Sequence, residues 1–143
     1  MTFVRWTSLR AMVLMLSLVG CGGTPAPNAG KPTLQAQSMQ QMFADVKVLR
    51  EYVQGVGTQS SAEASAQELV SWSDRLEAIF PGETAAQYVD LTPDMSRRAS
   101  PVMRETSGGV AAAVRMGNRQ EAGAQLARLE RDGCGICHQN GYK

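Results

Sequence analysis

The chain predicts an all-α, antiparallel four-helix bundle, and three observations carry that expectation. Apolar residues recur at steps of three and four in four separate stretches, the signature of one helix face. No run of alternating β-branched residues argues for a strand. The stretches are divided mostly by short breaks bearing Gly, Pro or Asn, which is how antiparallel helical neighbours are joined.

The first helix is expected over residues 33 to 55, with Met39, Met42, Phe43, Val46, Leu49 and Val53 on one inward stripe. Gly55-Val56-Gly57 ends it. The second begins at Ser60-Ser61-Ala62-Glu63, where Ser60 and Glu63 have capping-box spacing. It turns Ala62, Ala66, Leu69, Val70, Leu76, Ile79 and Phe80 inward and stops at Pro81-Gly82. A longer connection, Gly82 to Leu91, crosses one end of the bundle. Thr92-Pro93 opens the third helix as N-cap and first helical residue. That helix runs to about Met116 through Met95, Ala99, Val102, Met103, Val110, Ala113 and Val114, with Pro101 expected to kink it. Gly108-Gly109 either weakens it or admits a close neighbour. After Gly117, Asn118 and Glu121 repeat the capping-box spacing, and the fourth helix carries Ala122, Leu126 and Leu129 into Cys134.

The first twenty residues stand outside this fold. Arg5 and Arg10 precede an apolar run, Ala11 to Gly20, which is too short to span a bilayer and has the layout of an export signal. Leu18-Val19-Gly20-Cys21 resembles the lipobox of bacterial lipoproteins, so Cys21 is the expected lipidation site, with cleavage before it. Two or three acyl chains there would anchor stably where one holds only marginally. Residues 21–32, rich in Gly, Pro and Ala, then form a flexible tether, and residues 33–143 the bundle domain. Gly22 supplies no Asp-type retention signal, which leans towards an outer-membrane anchor on the periplasmic side.

Charge excludes one class of partner. The chain has 14 basic and 13 acidic residues, and loss of Arg5 and Arg10 leaves the mature protein near neutrality, against nucleic-acid binding. The carboxylates are scattered singly, and a single histidine leaves no dyad, so the expectation is a protein without catalytic activity of its own.

The chemistry concentrates in Cys134-Gly135-Ile136-Cys137-His138. On a helical turn these three side chains share a face. Two thiols so placed can add to the vinyl groups of one haem while the imidazole reaches its iron, hence C-x-x-C-H as a c-type haem attachment site. The pentapeptide uses the only histidine and two of three cysteines. In an exported setting a free thiol pair would tend to oxidise, and thioethers remove that hazard. A closed zinc site would need four N or S donors. A thioredoxin-like redox pair would follow a strand; here a helix precedes it. Five methionines remain after the signal, Met39, Met42, Met95, Met103 and Met116, and each is a potential sulfur ligand opposite His138 as well as ordinary core filler.

Gln37-Ser38-Met39-Gln40-Gln41-Met42, Phe80-Pro81-Gly82 and the C-terminal Cys134-x-x-Cys137-His138 together resemble the class II cytochromes c, the cytochrome c-prime family, over about residues 34 to 142. The resemblance implies a four-helix bundle with one covalent haem c near the C-terminus, Cys134 and Cys137 as its thioethers and His138 as the proximal iron ligand. It sets Met39 at the first-helix position facing the open side of the iron, with Met42 second. A methionine there marks the low-spin members, an apolar non-ligand the gas-binding ones. Three departures accompany it: Gln35 where the family often has an arginine for a haem propionate, Tyr142-Lys143 displaced after the histidine, and no tryptophan between helices two and three, Tyr88 being the nearest aromatic. Arg97, Arg98 and Arg131 are the remaining propionate candidates, each also readable as a solvated surface arginine, and Trp72 reads as a packing residue. The expected function is that of a lipid-anchored one-electron carrier working with redox partner proteins. The alternatives are a five-coordinate protein binding nitric oxide or carbon monoxide, and a haem-free structural lipoprotein. Family members often pair through their first two helices, so a homodimer is compatible with the sequence.

Overall fold

A computed structural model describes residues 33–81 and 93–141, within the compact unit Lys31–Lys143. The export signal, Cys21, the tether, the Gly82–Leu91 connection with Tyr88, the Thr92 cap and Tyr142-Lys143 lie outside the described residues. Those described are helical throughout apart from short turns, with no strand among them. The elements are α1 (Leu34–Val53), α2 (Gln59–Ile79), α3 (Pro93–Arg115) and α4 (Arg119–Arg128), the last continued through a π-helical turn (Leu129–Cys134) into α5 (Gly135–Gly141). No described helix is long and apolar enough to cross a membrane.

Each helix packs on its neighbours in sequence, and α4 closes the ring against α1. Paired side chains give the directions. Gln35 Nε2 at the start of α1 donates to the Ile79 carbonyl at the end of α2, and Ser96 Oγ at the start of α3 donates to the carbonyl of Phe80. At the opposite end Gln59 Nε2 donates to the Arg115 carbonyl, and Arg119 stands over the Tyr52 ring. Successive helices therefore run antiparallel, as expected of four amphipathic segments with short joints.

The joints follow from backbone chemistry. Gly55 (φ 85°) and Gly117 (φ 68°) adopt the left-handed conformation that glycine enters at no steric cost, and each ends its helix. Their amides fold back onto the carbonyls of Tyr52 and Val114. Asn118 caps α4 as expected, accepting from the Glu121 amide at 3.0 Å. The second helix starts earlier than its capping-box pattern implies: Thr58, not Ser60, is the N-cap, accepting from the Ser61 amide. Glu63 is thereby freed from the cap and accepts from Arg115 Nε at 3.1 Å. Pro101 lies within an unbroken α3. Gly109 serves for close approach, since a methyl group there would lie 2.8 Å from the Gln125 amide oxygen.

Leu49, Leu69, Val110, Val114 and Leu129 are sealed at the centre, while Ala62, Ala66, Ala99, Ala113 and Ala122 let the helices meet closely. Burying each of the larger side chains contributes roughly 1.5–3 kcal/mol. The buried hydroxyls of Ser73 and Thr106 return to carbonyls of their own helices, those of Val70 and Val102. The core corrects one expectation on α1: Phe43 is 63% exposed, whereas Tyr52, absent from the expected stripe, is 2% exposed. The inward stripe is Ser38, Met42, Asp45, Leu49 and Tyr52, with Val46 also buried at its side. Met39, Phe43, Val46 and Arg50 form a second stripe beside it, at steps of four, three and four.

Asp45 is the acidic side chain on the buried stripe. Burial pushes its carboxyl above the usual carboxylate range and Glu68 adds to the effect, while donors on Ser65, Trp72 and Gln41 oppose it. Its Oδ2 still makes no hydrogen bond of good geometry among the described residues. A carboxyl held above its ordinary 3.8 binds its proton more tightly when folded. Stability therefore falls as pH rises through the interval between the two values and levels off above it. Asp45→Asn is expected to have a higher urea midpoint than the parent at neutral pH, with the advantage vanishing in acid; an advantage equal at all pH would contradict this account.

Candidate functional site: a cavity behind the cysteine motif

The second stripe of α1 faces a cavity of about 520 Å³, within the range of roughly 300–1,000 Å³ typical of small-molecule and cofactor sites. Met39, Met42, Phe43 and Val46 of α1 wall it, with Leu69 and Leu76 of α2 and Met103 of α3. Gly133, Cys134, Cys137 and His138 close the remaining side. The cavity thus gathers both thiols, the imidazole and the two first-helix methionines singled out in the sequence.

The motif reaches it because α4 does not continue as a regular α-helix. Ala122, Leu126, Leu129 and Gly133, spaced four, three and four, are all buried. From Leu129 to Cys134 the bonding widens to the π form, an irregularity often found at functional sites. Cys134 then stands beside the buried stripe, and α5 carries Cys137 and His138 onward. Cys134 and Cys137 are half-buried free thiols and His138 is exposed. Burial pushes the Cys134 thiol up, nearby Glu130 and Cys137 add to this, and Arg50 opposes it; burial alone pushes Cys137 up.

Two charged residues at the wall had no local signal in the sequence. Arg50 Nε donates to Glu130 Oε1 at 2.8 Å, joining residues eighty positions apart. The three arginines considered for an anionic group do not line the cavity. Arg97 pairs with Asp94, Arg131 forks onto Asp132 at 2.7 and 2.8 Å, and Arg98 is exposed. Gln35 is engaged with α2. Trp72 is half-buried under the Arg75 guanidinium, 4.0 Å from its ring centre, and does not line the cavity.

Among the described residues no three of His, Cys, Asp and Glu are grouped to hold a bare metal ion. The donor set at the cavity, two thiols and one imidazole, suits a flat apolar group that brings further donors of its own, and the aliphatic and thioether walls suit its faces. Set against known proteins, the chain matches no family model, no curated protein and no solved structure.

Proposed function

We propose that the chain is a c-type cytochrome, holding one haem covalently in this cavity. Within that class we read it as a class II, cytochrome c-prime-like carrier of single electrons. The carrying observation is the convergence of Cys134, Cys137 and His138 on a cavity walled mainly by apolar side chains, Gln40, Arg50 and Glu130 apart. Each thiol exchanges its S–H for an S–C bond to a vinyl carbon, the hydrogen passing to the adjacent carbon, so attachment needs no net oxidant or reductant. His138 would hold the iron through a ring nitrogen, and Met39 is the first candidate for a further, sulfur ligand, Met42 the second. A bound haem would supply one-electron chemistry, and a methionine ligand would raise its potential. Leu69, Leu76 and Val46, which line the cavity, would keep water from the macrocycle. The Cys21 lipobox supports a lipid anchor on the periplasmic side, the outer membrane favoured, which restricts encounters with redox partner proteins to a layer at the membrane.

The second reading, a five-coordinate gas-binding protein, differs at Met39 alone, which would then crowd the iron without ligating it. Half-burial of Met39 on the cavity wall is compatible with both. Ferric protein matured with its haem is expected to be low-spin with a far-red sulfur-to-iron absorption band, and Met39→Ala to lose that band. A high-spin spectrum that Met39→Ala leaves unchanged would favour gas binding.

A further inference from the structure

We propose that Gly133, seated against Met103, is a positioning residue that sets how far Cys134, Cys137 and His138 reach into the cavity. The inference rests on the haem reading above and concerns how the chain presents its own ligands.

Gly133 is the fifth residue of the π turn and the residue before Cys134, and it is buried. A methyl group built on its Cα would lie 3.0 Å from Met103 Cγ, 3.2 Å from Leu129 Cδ1 and 3.6 Å from Met103 Cα. Leu129 Cδ1 is the tip of a side chain and can rotate aside. Met103 Cγ is close to its own backbone, and the backbone stands immediately behind it, so α3 has little room to yield. A methyl group at 133 therefore presses the π turn away from α3 by a few tenths of an ångström. Cys134 follows directly and α5 begins at Gly135, so the displacement is handed to both thiols and the imidazole. Interiors are packed tightly enough to transmit such a shift instead of absorbing it.

Gly109 provides the contrast. A methyl group there meets the Gln125 amide oxygen at 2.8 Å and the Gln125 Cγ at 3.3 Å, the outer part of a long side chain that can swing clear. Gly109 does not line the cavity, whereas Gly133 and Met103 both do. Substitution at the two glycines thus separates a general helix effect from a local one.

The test uses the full chain matured with haem, as parent, Gly133→Ala, Gly109→Ala, Met103→Ala and the Gly133→Ala/Met103→Ala pair. Visible spectrum, reduction potential and far-ultraviolet helix content are measured on each. Gly133→Ala is expected to lose or shift the axial-ligand band and move the potential while keeping the parent's helix content, and Gly109→Ala to match the parent. The pair, in which Met103 Cγ is gone, is expected to return to the spectrum and potential of Met103→Ala alone. Parent-like spectrum and potential in Gly133→Ala would overturn the assignment, and so would a pair that stays displaced from Met103→Ala. If Gly133→Ala does not fold, the comparison of the pair with Met103→Ala decides alone. A parent that retains no haem would instead defeat the haem reading, a distinguishable failure.

Discussion

Replacing both Cys134 and Cys137 by serine will yield a protein that gives up all of its haem on denaturation, where the parent keeps it. The two thiols are the only sulfurs of the motif, they share one cavity wall, and neither is engaged in a disulfide among the described residues. A serine hydroxyl is close in size, so packing around Gly133 and Leu129 is preserved and the loss is chemical. Each single variant keeps one sulfur on the same wall and is expected to retain haem through one thioether. The measurement is haem staining on a denaturing gel together with intact mass. A double variant that still stains would break the assignment of these residues, and a parent that never stains would leave the haem-free lipoprotein in its place.

Tyr52→Ala is expected to cost about 3–5 kcal/mol, the range for removing a buried aromatic side chain. That is a large part of the roughly 5–15 kcal/mol by which domains are stable. Tyr52 is 2% exposed at the far end of α1, where Arg119 covers its ring at 5.0 Å. The chain also folds back tightly there: a methyl group on Gly57 would lie 3.0 Å from the Tyr52 amide nitrogen. Urea unfolding should show a lowered midpoint for Tyr52→Ala and a far smaller change for Tyr52→Phe, which keeps the ring. Equal stability of Tyr52→Ala and parent would mean that the ring is not part of the cooperative core.

The architecture was legible because its punctuation is local. Gly55, Gly117 and Asn118 act through their own backbone or the next turn, and a sequence displays such signals directly. What escaped depends on partners distant in the chain. Met39, Phe43 and Val46 merge with Met42, Leu49 and Val53 into one broad apolar face, since nothing in α1 says that two different surfaces will meet it. Tyr52 escaped for the converse reason, as its burial is decided by α4 and the Gly57 turn. The buried spacing of Ala122, Leu126, Leu129 and Gly133 is that of an ordinary α-helix, so the π turn leaves no periodic trace. The Thr58 cap was missed because Ser60 with Glu63 offered the more conspicuous pattern, and Arg115 claimed the carboxylate. At the site, the pentapeptide announces its chemistry by itself. Its walls, and the Arg50–Glu130 contact, exist only once the helices have been brought together.

For the electron carrier proposed above, the antiparallel course of the helices would make the two ends of the bundle unlike. Met39 lies near the start of α1, and the Gly55 and Gly117 turns, with exposed Val56 and Met116, lie at the other end. The cavity wall on α1 runs from Met39 to Arg50 and ends about 4.5 Å of helix before Val53. Tunnelling weakens steeply with distance, so a haem held in that cavity would exchange electrons most readily where its wall meets solvent, at exposed Phe43 and His138.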